Sequence, residues 1–491
     1  MNKDQYGKPP EDGDQRKSPY EIVPGQLSNE VLLEMEKRRA DADKFFPKEV
    51  VLDKLGRIVH PRQFIMAGRG KAIDRFVVGK KFWLQTEQVD SETTSERIFV
   101  DVIKSRKPSP RGKRYVLLQT STDASTTDFI GKIIKVFGSA LAENPIGVIH
   151  PGGSNEDGGR VHSGQASCFG TALLVTPATN TSLNQSPEIQ RLNQVATYEH
   201  DAALGMATVA VLDTGLLAIE AGNANRQATS SDIGWNFATN TSPEGSPFSD
   251  DDHPGLHGTK ICTIIKHAAP EVGILPVKVA NRQGAVSLYD ALCGLEFART
   301  HGASVVNASW SFTANGSTSN EELDYPLLLQ AIRDLEESGV VVVAAAGNRN
   351  QYDQLADGHI GLNNAPYIYP ACYSSIQDNV ITVTTVVDAV DAAAARRFNA
   401  FENFSNRFVD TGVLANAETP EPQGQFAVLG FRASYRGSSF ATPYVAAKIA
   451  RIIGSAPGYK SKRALLRRLR EFHIENQLAD EICHGGSYIT V

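Results

Sequence analysis

The sequence predicts an α/β fold built on a parallel sheet with helices on both faces, preceded by a smaller α+β domain. Three observations carry this. From about Met206, short and nearly continuous apolar runs rich in β-branched residues recur at 208–212, 273–279, 303–308, 340–345 and 380–386, with helical patterns between them. Strands buried on both faces read this way, as in parallel sheets covered by helices. Polar motifs follow several of these runs, at the carboxyl ends of the strands, where open α/β sheets gather their chemistry. A Gly-rich polar run at 151–159 is the clearest linker in the chain.

The elements divide the chain into four parts. Residues 1–60 form a polar arm with a charged helix over 28–46, capped by Ser28 or Asn29 and stopped by Pro47. Residues 61–150 form the small α+β domain. Strand material is expected at 76–78 and 82–84, and two strands at 97–104 and 114–120 joined by a basic loop bearing Pro and Gly. A helix is expected over 126–142, capped by Thr126 or Thr127, although its Ile and Val content leaves a strand open; 145–150 reads as a final strand. Residues 151–200 are linker and lead-in, and 201–491 the large domain.

Composition excludes several classes. Apolar residues make up 41% and charged residues 21%, ample for a sizeable core, and a net charge of −6 argues against nucleic-acid binding. Five scattered cysteines make no disulfide framework. The N-terminus lacks the apolar stretch of a secretory signal, and no run approaches the roughly 18 apolar residues of a membrane helix. No membrane role and a cytoplasmic address are expected, with unconventional secretion left open.

Three motifs occur in the order Asp, His, Ser. Asp213-Thr214-Gly215 ends a strand, His257-Gly258-Thr259 opens a helix towards His267, and Gly437-Ser438-Ser439-Phe440-Ala441-Thr442-Pro443 opens a helix ending near Gly454. A nucleophilic serine needs a base within hydrogen-bond reach and a carboxylate that orients the base. At a helix N-terminus, the backbone N–H of Ser439 is left to face a developing oxyanion.

Together these stretches resemble the subtilase family over roughly 205–460, supported by 269–279, by Tyr369-Pro370-Ala371 with the strand from Val380, and by Phe404-Ser405-Asn406. The resemblance implies a serine endopeptidase acting through an acyl-enzyme on Ser439, with His257 as base and Asp213 as its orienting carboxylate. It also implies that Asn348, in Ala344-Ala345-Ala346-Gly347-Asn348, donates to the oxyanion. Gly347 and the segment Ser309, Trp310 and Ser311 are expected to bind substrate, with Phe312 narrowing the pocket. Arg349 follows Asn348 where relatives often carry an acid, so cleavage after Asp or Glu is the expectation if its guanidinium faces the pocket, with small residues as the alternative.

Plainer readings are expected elsewhere. Lys260, Ile261, Cys262 and Thr263 follow His-Gly-Thr where the family has a second His and small residues, and Cys262 reads as a small core residue. Asp250, Asp251 and Asp252 lack a calcium-ligand pattern and read as a solvated loop, so no metal site or required cofactor is expected and structural calcium is unsupported. His253 and His267 read as surface or cap residues, and Lys104, Arg106, Lys107, Arg111, Lys113 and Arg114 as a solvated hairpin loop. The partners expected are a protein or peptide substrate, and either an intramolecular N-terminal inhibitor or a regulatory partner recruited by residues 61–150. A non-catalytic binding protein on the same fold is the alternative.

Overall fold

The computed structural model describes residues 51–52, 57–85, 97–121, 140–148, 207–216, 235–238, 251–314, 324–348, 367–387, 397–398, 402–415, 425–428, 434–456, 461–470 and 488–490. The expected helix over 28–46 and the linker at 151–159 lie outside these residues.

The small unit is an antiparallel sheet of β1 (Val51–Leu52), β2 (Ile58–Gly68), β3 (Lys81–Gln85), β4 (Arg97–Arg106), β5 (Arg114–Thr120) and β6 (Ala140–Val148), with one helical turn, α1 (Lys71–Asp74). Alternation sorts its side chains. Phe64, Met66, Val116, Leu118, Val100 and Val102 gather under α1 and Phe76, while Ile65, Ala67, Tyr115 and Leu117 join the core of the large unit.

Two expectations are corrected here. β2 starts at Ile58, so the small domain begins before residue 61. Residues 76–78 are a turn: Phe76 N–H and Lys80 N–H donate to the carbonyls of Ile73 and Val77, and Gly79 has φ 84°. At 140–142 the strand alternative left open by the sequence is the one formed, because β6 from Ala140 to Pro145 pairs with β2.

The large unit comprises β7 (Thr208–Asp213), β8 (Trp235–Asn236), α2 (His257–Ala268), β9 (Gly273–Lys278), β10 (Ala285–Ser287), α3 (Leu288–Thr300), β11 (Val305–Ala308), β12 (Phe312–Ala314), α4 (Pro326–Glu337), β13 (Val341–Ala345), β14 (Tyr367–Tyr369), β15 (Val380–Val387), β16 (Arg397–Phe398), β17 (Thr411–Leu414), β18 (Gln425–Ala427), β19 (Ser434–Arg436), α5 (Ser438–Ser455), α6 (Lys462–Arg470) and β20 (Tyr488–Ile489). Its main sheet runs β20-β17-β15-β13-β11-β7-β9-β8, parallel throughout, with β16 antiparallel on β15. Ala210 and Leu212 of β7 face α3 and α4, while Val209 and Val211 face α2 and α5. Burial on both faces is why the strand reads as one apolar run.

The small sheet docks on α3 and α4 through β5 and β6. The basic stretch is solvated only in part: Lys107 and Arg111 are exposed, as expected, but others are not. Lys104 pairs with Asp290 at 3.2 Å, Lys113 with Asp334, and the Lys113 backbone N–H donates to Glu296 at 2.7 Å. Arg106 is buried. Tyr289 OH donates to the Tyr115 carbonyl at 3.2 Å, and Asn144 Oδ1 accepts from Tyr289 N–H at 3.3 Å in the first turn of α3. The final residues of β6 leave their own sheet and pair antiparallel with β10, Ile146 with Ser287, Gly147 with Val286 and Val148 with Ala285.

Lys104→Ala removes the cation from one oxygen of the Asp290 carboxylate, whose side chain is 8% exposed, leaving only Ser287 Oγ on the other at 2.6 Å. The expected loss is at the lower end of the roughly 3–5 kcal/mol for breaking a buried pair. Hydrogen exchange in β5 and β6 should accelerate, while Lys104→Ala with Asp290→Ala should recover part of the protection. Unchanged exchange in the single variant would count against the pairing.

Candidate active site

Asp213 terminates β7 in the middle of the sheet, wholly buried, and one of its carboxylate oxygens accepts from Thr214 N–H at 2.7 Å. His257 opens α2, also wholly buried, and its Nδ1 donates to the same oxygen at 2.8 Å. The two meet because α2 begins against the end of β7. Gly258 N–H donates to Thr214 Oγ1 at 2.8 Å, and a Cβ at 258 would collide with the Gly215 carbonyl.

The helix start is unusual. Leu256, just before His257, has φ 46° and supplies no side-chain cap, a conformation costly for a residue with a branched side chain. Asp251 does the capping instead: its Oδ2 accepts from Thr259 N–H at 2.9 Å and Thr259 Oγ1 at 2.7 Å, and its Oδ1 from His253 N–H at 3.3 Å. Asp251 is therefore no solvated acid. Burial pushes its carboxyl up to about 6, against the Thr259 hydrogen bonds that favour the charged form. Asp252 pairs with the buried Lys278 at 2.7 Å, and Lys278 also donates to the Thr214 carbonyl.

His253 is buried rather than superficial, and its Nδ1 accepts from Gly255 N–H at 3.1 Å. Burial depresses it to about 3, so it stays neutral. His267 is exposed. Cys262 is buried in the apolar cluster beneath α2, and burial pushes its thiol up. Among the described residues no group of His, Cys, Asp and Glu is placed to hold a metal ion, and no helix is long and apolar enough to cross a membrane. Asp250 lies outside the described residues.

Ser439 lies in the first turn of α5, after Gly437 at φ 129°. Its Oγ donates to the Ser309 carbonyl at 3.3 Å, while Ser309 Oγ donates to the Ser439 carbonyl at 3.0 Å and accepts from Asn307 Nδ2 at 3.0 Å. Helices α2 and α5 pack together, and the His257 ring meets Phe440 edge-on at 5.3 Å. His257 Nε2 makes no hydrogen bond. Catalytic hydrogen bonds are commonly long in ligand-free enzymes and tighten with substrate.

Asn348 follows β13 through Gly347 at φ 86°, and its Oδ1 accepts from Ser438 N–H at 2.9 Å and Ser438 Oγ at 3.2 Å. With the amide oxygen so held, its NH₂ group is left as the donor end. Ser311 and Trp310 are buried beside the start of β12, and Phe312 pairs with Tyr369 of β14. Arg349 lies outside the described residues.

One residue at this site escaped the sequence reading. Glu402, 3% exposed, accepts from Gly437 N–H at 3.1 Å and from Thr385 N–H at 3.1 Å, tying the turn before Ser439 to β15. The available signal was a lone acid in the apolar stretch Phe401-Glu402-Asn403-Phe404.

The profile of the subtilase family matches residues 206–478, more than half of the chain. The chain belongs to this family. Among related subtilases, subtilisin DY of Bacillus licheniformis is 28% identical over 248 residues, 48% of this chain and 76% of that one. Thermitase of Thermoactinomyces vulgaris is 27% identical over 57% of this chain and 84% of its own. The minor extracellular protease Epr of Bacillus subtilis (strain 168) is 29% identical over 35% of this chain, which spans about a quarter (26%) of that relative. A solved structure of the epidermin leader peptide processing serine protease from Staphylococcus aureus aligns with TM-score 0.49 and 16% identity, covering 80% of this chain and 91% of that one.

The capping carboxylate gives a pH test of stability. Asp251 ionises near 4 in the unfolded chain and near 6 when folded. Between those values the folded state binds the extra proton, so its contribution is fullest below 4 and declines as pH rises through 6. The melting temperature of the wild type minus that of Asp251→Asn should fall over this window, by at most the equivalent of about 3 kcal/mol at 1.36 kcal/mol per unit. A flat difference would refute the assignment.

Proposed function

We propose that this subtilase is a serine endopeptidase whose nucleophile is Ser439, with His257 as general base, Asp213 as the carboxylate that orients it and Asn348 in the oxyanion hole. The observation that carries the reading is the buried Asp213–His257 hydrogen bond set beside the helix start that holds Ser439. With Nδ1–H given to Asp213, Nε2 carries the lone pair that takes the Ser439 proton as Oγ attacks the peptide carbonyl. The imidazolium returns that proton to the leaving amine. Water then repeats the sequence on the acyl-enzyme, so peptide and water suffice and no cofactor enters. Ser439 N–H and the Asn348 amide would receive the oxyanion.

Of the two roles for the N-terminal unit, inhibition is favoured over recruitment. The carboxyl end of β6 lies on β10 and against β12, next to Ser311, which is two residues from the carbonyl that Ser439 touches. An extended peptide adds to a sheet edge in this manner. The small unit would then block its own active site until the chain is cut beyond Val148.

Two experiments test these roles. A fluorophosphonate probe should label the wild type and not Ser439→Ala. Ser438→Ala should retain labelling, since its backbone N–H still holds Asn348. Asn348→Ala should lower turnover about 10²–10³-fold, a magnitude set by subtilisin itself. Labelling carried by Ser438 alone would overturn the nucleophile. Mass spectrometry of purified protein should find the wild type cut between Val148 and Ala207 and Ser439→Ala intact; an uncut, fully active wild type would favour recruitment.

A further inference from the structure

We propose that the substrate subsite opposite Val286 accepts only glycine, closed by the Ser311 carbonyl and the Phe312 ring, so that cleaved sequences carry Gly at one fixed position; this rests on the peptidase reading above. The occupant that reveals it is the chain's own Gly147, paired with Val286 of β10. A Cβ there would fall inside contact distance of the Ser311 carbonyl oxygen, and at 2.8 Å and 3.0 Å from Cδ1 and Cε1 of Phe312. Neither obstacle can yield cheaply. The first is backbone, leading directly into β12, which is held against β14. The second is a wholly buried ring packed edge-on against Trp310 at 5.4 Å and tilted on Tyr325 at 5.6 Å.

The restriction is confined to one position. In an extended strand alternate side chains point to opposite faces, so the β-branched Ile146 beside Gly147 is turned away from this wall. A peptide substrate laid on β10 in the register of β6 meets the same wall at the same place. Ser311 and Ser309 are two residues apart, about 7 Å in extended chain, and the Ser309 carbonyl touches Ser439 Oγ. The glycine therefore stands within about two to four residues of the scissile bond. The substrate class is an extended peptide with glycine there and larger residues tolerated beside it.

The test uses the full chain. In a Ser439→Ala background, which removes self-cleavage, hydrogen exchange is followed at 146–148 and 285–287 for Gly147→Ala, Gly147→Leu and the control Ile146→Ala. The two glycine variants should exchange at least tenfold faster in both segments, the control should stay within about threefold of the parent, and β7 and β11 should stay protected in all three. Separately, the wild type is given a peptide library and, in parallel, the fluorophosphonate probe. Cleaved peptides should be enriched in Gly at a single position near the cut, and replacing that Gly by Ala should lower turnover at least tenfold. Unchanged exchange in Gly147→Leu, or equal cleavage of peptides with Ala or Leu at every position, overturns the proposal even when the probe labels Ser439. Absent labelling with Gly-dependent exchange would sink the peptidase reading while leaving a glycine-selective binding edge.

Discussion

Everything at this site hangs on one hydrogen bond made out of reach of water, from His257 Nδ1 to Asp213. A carboxylate buried in the centre of a sheet is costly unless its lone pairs are occupied; here one oxygen takes both Thr214 N–H and His257 Nδ1, and the other makes no hydrogen bond. The strand ends so that Thr214 N–H turns back onto the carboxylate, and α2 starts close enough that only glycine fits at position 258. Because that helix lacks a cap of its own, the loop before it supplies Asp251, and Lys278 ties the same loop to the end of β9. Packing of α2 on α5 then fixes where Ser439 stands relative to the imidazole.

The large unit was the more legible part of the sequence, for a physical reason. Strands such as β7, β11 and β13 are buried on both faces, so their residues are apolar irrespective of register and stand out as runs. Ser439, His257 and Asp213 stand out in the sequence because their motifs combine a polar group with the small residues that close approach demands. Glu402 and Asp251 were not given roles, since each acts through contacts with backbone N–H groups that no local pattern encodes.

The small unit was harder to read. Half of the pattern of β2 and β5 is set by a surface that belongs to another part of the chain. Tyr115 and Leu117 face α3, and Lys104 and Lys113 answer acids that stand well over a hundred residues further along. In isolation such lysines are indistinguishable from solvated ones. The turn at 76–78 misled for a related reason: Val77 and Val78 have the composition of a strand but are exposed, at 50% and 46%, and only Phe76 is used by the core.

The pairing of β6 with β10 makes occupancy of that edge a question of covalent continuity. While residue 148 remains joined to residue 207, the strand meets the edge as part of the same molecule, at an effective concentration that a dilute peptide cannot match. Severing the intervening chain changes none of the contacts. It turns an intramolecular equilibrium into a bimolecular one, whose outcome dilution alone can decide.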